Sequence, residues 1–178
     1  MASKRAKKKL SSGTKENITQ VVDDLSMVIG RKSLPVENSR KILSAAFDHM
    51  DAYIAALGLV LPESDVLWKE SGAREAFFSI KRKRKWMIRS LFAIAIFGNL
   101  VIIIVSILAI VFMTHWAKWI ILGIAILLIF LGSFNVPQYI ISPYITNYDH
   151  KLNEKFPKEC NLINQYIKEL LDIRSKKK

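Results

Sequence analysis

Between Ala76 and Tyr148 the chain carries no aspartate or glutamate. From residue 86 to 139 its only lysine or arginine residues are Arg89 and Lys118. A helix on the surface of a soluble domain needs one wetted face, so this loss of charge constrains the fold more than any other feature. Two uncharged stretches stand out. Ser90–Met113 has 24 residues, sixteen of them Leu, Ile, Val or Phe, and Trp119–Ile141 has 23, with fourteen of the same four types. About 20 residues at about 1.5 Å rise cross a hydrocarbon layer of about 30 Å, so each stretch is long enough to span one with some tilt. At roughly −0.3 to −0.6 kcal/mol per such residue, insertion of either is favourable by several kcal/mol. A buried helix in a soluble core has a similar composition, but two adjacent uncharged runs of this length are rare there.

Residues 114–118 (Thr114, His115, Trp116, Ala117, Lys118) separate the two runs, which is room for a tight antiparallel turn only. Both flanks are then on one side of the membrane. The run Lys81, Arg82, Lys83, Arg84, Lys85 outweighs the lone Lys118, which by the positive-inside rule places both termini in the cytoplasm. These five basic residues are the expected juxtamembrane contacts with anionic lipid. Trp86, Trp116 and Trp119 are the expected interfacial anchors. Arg89 is placed to reach back toward the headgroups.

On a helical projection Gly98, Asn99, Ile102, Ser106, Ala109 and Met113 fall within about 60° of Ala95. This narrow face collects nearly every small or polar residue of the first run. Asn99 precedes the turn by about as many residues as Asn135 follows it, so a hairpin brings the two to similar depth. Gly98, Asn99, Ser106 and Asn135 are therefore the expected packing face, as glue within the hairpin or between copies, or as the lining of an oligomeric pore. Neither run contains Asp, Glu or His, which argues against a proton relay. Pro137 and Pro143 are expected to kink or end the second run.

The flanks read as amphipathic helices. Ile18, Val21, Val22, Leu25, Val28 and Ile29 recur at helical spacing after a basic start, with Thr14 as a candidate cap and Gly30 as a stop. Leu43, Ala46, Phe47, Met50, Ile54 and Leu57 form a second stripe, opposite Glu37, Lys41, Ser44, Asp48 and Asp51. Ser33 and Pro35 are its candidate start, and Gly58 and Pro62 its candidate end. A third stretch, Ser64–Ile80, carries Leu67, Trp68, Phe77 and Phe78. Beyond the membrane run, Pro157 suits a helix start, and Ile163, Tyr166, Ile167, Leu170 and Ile173 make a last stripe.

The expected organisation is thus an all-α membrane protein, a two-helix transmembrane hairpin with a small helical cytoplasmic module built from both ends. The expected segments are a basic disordered tail at 1–13, a helical region at 14–80, a basic anchor at 81–89, spans at 90–113 and 119–141 joined by the loop 114–118, and a C-terminal helix with a basic tail at 142–178. The first 30 residues are polar and lack the apolar core of a signal peptide. The expected host membrane is a bacterial inner membrane, or an organelle membrane if the chain is a secreted effector.

Sequence motifs for chemistry are sparse. His49, His115 and His150 are scattered, and Asp48 and Asp51 flank His49 without converging on it, so no metal or cofactor is expected. Gly30-Arg31-Lys32-Ser33 has one residue too many, and follows a helix rather than a strand, for a phosphate-binding loop. Cys160 is the single cysteine and has no base beside it in sequence. No enzyme activity is expected. The net charge of +12 would suit a nucleic-acid ligand. However, the basic clusters lack interleaved aromatics and flank the apolar runs, which favours lipid as the partner. The two-span layout resembles the inclusion-membrane proteins of intracellular bacteria and the two-span effectors of nucleotide-signal defence systems. The likeness is one of architecture, covers the hairpin only, and points to no particular family. The expected function is a non-enzymatic hairpin that presents its cytosolic helices to a protein partner and self-associates. The alternatives are a pore-forming effector gated by those helices and an immunity or exclusion factor bound to another membrane protein.

Overall fold

The computed structural model describes the backbone of residues 2–32, 39–112 and 117–176, and the side chains of 13–32, 41–108, 111–112, 119–130 and 139–176. Every regular element among the described residues is helical. They run α1 (Ala2–Val28), α2 (Ser39–Val60), α3 (Pro62–Glu70), α4 (Ala73–Phe112), α5 (Ala117–Asn135), a π-helical turn (Val136–Ile141), α6 (Ser142–His150), α7 (Leu152–Lys155) and α8 (Pro157–Lys176). The chain divides into two units, one of Met1–Arg82 with Tyr148–Lys178, the other of Lys83–Asn147.

The first unit joins the two ends of the chain around one core. Ile18, Val21, Leu25 and Val28 recur on one face of α1 and are buried. Gly30 ends this helix at φ +73°. Its N–H meets the Met27 carbonyl at 3.1 Å and that of Arg31 meets the Ser26 carbonyl at 2.9 Å. These are the two bonds of a Schellman closure, which needs the left-handed conformation that glycine adopts freely. At the other end α1 begins at Ala2, so Thr14 lies inside the helix rather than capping it. Helix thus covers residues 2–13, where composition alone suggests a disordered tail. The Ala, Lys, Arg and Leu of this stretch are among the better helix formers.

The α2 stripe Leu43, Ala46, Phe47, Met50, Ile54 and Leu57 is buried throughout, while Lys41, Asp48 and Asp51 stay exposed. The candidate start at Ser33 and Pro35, and Glu37, lie outside the described residues. Gly58 does not stop this helix, which continues to Val60. A Cβ on Gly58 would come within 3.1 Å of the Asp65 Cβ, so the glycine allows α3 to approach. Pro62 opens α3, and Ser64 closes the corner by donating both its N–H (2.9 Å) and its hydroxyl (2.7 Å) to the Leu61 carbonyl. The expected third stretch is broken at Gly72 (φ +72°), where α3 gives way to α4.

Aromatic rings tie the two ends together. Phe77 on α4 sits 5.2 Å from Phe47 and 5.9 Å from Trp68, and Trp68 sits 5.0 Å from Tyr166 on α8. Each such pair adds about 0.5–1.5 kcal/mol beyond burial. Pro157 starts α8, whose Cys160, Ile163, Tyr166, Ile167 and Leu170 are buried. Burial, reinforced by Asp65, pushes the Tyr166 hydroxyl well above its ordinary pKa.

In the second unit most side chains are uncovered. Ile94, Ile96, Phe97 and Val105 on α4, and Ile126 and Phe130 on α5, are each more than half exposed. Among the described side chains from Phe92 to Phe130, shielding is confined to Ala95, Asn99, Ile102 and Ser106 on α4, and to Ile121, Ala125 and Ile129 on α5. Both sets follow the helical repeat, so each helix has one covered face. Pro137 falls in the π-helical turn, and the chain remains helical through Pro143. The prolines loosen the helix at this point without ending it, as expected where a ring removes a backbone donor.

Candidate membrane interface

Among the described residues one helical segment, Ala73–Leu108, is long and apolar enough to cross a membrane, and none of its most apolar part is buried. A helix from a soluble core would have the same composition but would be covered. On α5 the apolar run with described side chains is Trp119–Phe130, which is shorter than a span. The expected second crossing is therefore not established. The α5 backbone runs 19 residues, about 28 Å, before the π-helical turn begins.

The basic run at the foot of the apolar segment does not lie on one face of the helix. Successive residues on a helix point about 100° apart, so five in a row cannot face the same medium. Lys81 turns inward, donating from Nζ to the Phe47 carbonyl at 2.8 Å and lying 3.5 Å from the Asp48 carboxylate. Arg84 is 6 % exposed. It sits four residues beyond Ile80, in register with the buried Ala73, Ala76, Phe77 and Ile80. Arg82, Lys83 and Lys85 remain exposed, as does Arg89. Continuing the α4 stripe by one turn is the sequence signal that sets Arg84 apart.

Trp86 and Trp119 are 72 % and 74 % exposed, available as interfacial anchors, whereas Trp116 lies outside the described residues. Of the expected packing face, Asn99 and Ser106 lie on the shielded side of α4. Ser106 donates its hydroxyl to the Ile102 carbonyl at 2.6 Å, so it is satisfied within its own helix. Gly98 lies on the open side, and a Cβ there would meet nothing within 4 Å. The Asn135 backbone ends α5, and its side chain is outside the described set.

Among the described residues, no three His, Cys, Asp or Glu side chains converge on a point that would hold a metal. His49 is exposed, 6.1 Å from the Tyr53 ring, and its charge offsets part of the upward shift that burial and Asp23 impose on Asp24. Cys160 is fully buried, with its thiol 3.8 Å from the Leu152 carbonyl. Burial and then Glu159 push its pKa up to about 11 from an ordinary 9.0. The protonated thiol is thus favoured in the fold. Its stabilising contribution should be complete below about pH 9 and fade as pH rises toward about 11. The unfolding midpoint of the native chain should therefore lose ground to Cys160→Ala across that interval, and native protein at about pH 8 should resist alkylation. Prompt alkylation would show that the thiol is not enclosed.

No family model matches the chain, and no curated protein or solved structure matches it.

Proposed function

We propose that the chain is a non-enzymatic, two-pass membrane protein. In this reading α4 and α5 form an antiparallel hairpin, both termini face the cytoplasm, and the helical unit built from the two ends is displayed there to a protein partner. The supporting observation is the contrast between the units. The first buries its aliphatic stripes around one core, while α4 beyond Arg89 leaves its aliphatic side chains uncovered over roughly five helical turns. Water disfavours such a surface and lipid does not. Ile121, Ala125 and Ile129 suit the inner face of α5, and Asn99 on the covered side of α4 suits a bond within the hairpin. A second copy would find the open side of α4 at Gly98, where backbones can approach closely. On the helical unit, Leu59 at 88 % exposure and Val66 at 51 % are the most exposed of the large apolar side chains available to a partner.

Topology tests this reading directly. The protein should stay in the pellet after carbonate extraction of membranes. A cysteine at Ser175 should be labelled by an impermeant maleimide only from the cytoplasmic side, and one at Lys118 only from the opposite side. Release into the carbonate wash, or labelling of both positions from one side, would refute the hairpin.

A further inference from the structure

Among the basic residues that the fold leaves exposed, Lys85 and Arg89 lie nearest the uncharged run. Lys85 and Arg89 are exposed, one helical turn apart on α4, with the exposed Trp86 beside them. Neither has a hydrogen-bond or acidic partner among the described residues. The segment Ala76–Tyr148 contains no acid that would offset them. Like charges at this spacing repel and weaken a helix, so an anion held between them removes a standing penalty. Cβ atoms one turn apart are about 5–6 Å from each other, within reach of two oxygens on a single phosphate. Arg89 immediately precedes the uncharged run that opens at Ser90, and Lys85 lies about 6 Å further out along the axis. In a bilayer that is the depth of lipid phosphates, with the Trp86 indole at the same level.

We infer that Lys85 and Arg89, with Trp86 as the interfacial anchor, form a site for the phosphate of an anionic phospholipid headgroup. This rests on α4 spanning the membrane. The site is distinct from diffuse attraction by the whole basic run, because Lys81 and Arg84 are turned inward, Lys83 lies on the opposite side of the helix from Lys85, and Arg82, though exposed on the same side, lies about 4.5 Å further from the apolar run than Lys85.

The test uses the full chain in nanodiscs of phosphatidylcholine with increasing phosphatidylglycerol. Bound anionic lipid is counted by native mass spectrometry. Wild type should retain one anionic lipid that exchanges slowly. Each charge lost from the site itself should weaken binding about fivefold, so Lys85→Gln with Arg89→Gln should weaken it about thirtyfold. Lys83→Gln, on the far side of the helix, should change it less than about twofold, and Lys85→Arg should preserve it. Equal losses in Lys83→Gln and Lys85→Gln would reduce the site to general electrostatics and overturn the inference. Displacement of the lipid by millimolar inorganic phosphate would overturn it in favour of a soluble phosphate ligand. Normal incorporation into nanodiscs without anionic preference would sink this inference alone. Failure to incorporate would sink the membrane reading with it.

Discussion

Replacing Phe77 with alanine should destabilise the helical unit by about 3–5 kcal/mol, a large part of what a unit of this size possesses. The ring is fully buried, with neighbours at 5.2 Å (Phe47), 5.9 Å (Trp68) and 5.8 Å (Phe78), so its loss leaves a cavity that rigid aromatics cannot refill. Phe78, partly exposed and overlain by the Arg74 guanidinium at 5.6 Å, should tolerate the same change with a smaller loss. Chemical denaturation followed by near-ultraviolet circular dichroism, where the buried Trp68 contributes, compares the two. If both variants unfold at the wild-type midpoint, the aromatic chain from α2 to α8 does not hold the unit together.

A charge in the middle of the exposed α4 surface should have a comparably large effect, on location rather than on folding. Val105 is 58 % exposed, and Val105→Arg should cost about 2.5–3.5 kcal/mol of insertion free energy at the centre of a span. The variant should move from the carbonate-resistant fraction toward the wash or toward degradation. Leu59→Arg, at a more exposed site on the helical unit, should leave the membrane fraction unchanged. Wild-type fractionation of Val105→Arg would mean that this surface meets something other than lipid.

The buried faces are legible in the sequence because a helix buries residues at a fixed period. The α2 stripe is covered at all six expected positions, and the α8 stripe at Ile163, Tyr166, Ile167 and Leu170, with Cys160 added at its start. Gly30 is legible as a stop for an equally local reason, since a left-handed closing residue favours glycine. Gly58 has the same sequence signature as a stop, yet it lies inside α2. Its absent Cβ makes room for Asp65 on α3, and only the packed pair of helices reveals that use. The basic run at Lys81–Lys85 reads as one cluster in the sequence and is several faces in the fold, because adjacency along the chain is not adjacency on a helix surface.

The sequence by itself determined the helical class, the apolar stretch that α4 exposes, and the stripes on α1, α2 and α8, since each depends only on composition and period. Tertiary structure decided which long-range partners those stripes found. It set Tyr166 beside Trp68, brought Lys81 to the Phe47 carbonyl, and shielded Asn99 while leaving Gly98 open. Such pairings depend on how whole helices dock, and a local pattern carries no record of the docking angle.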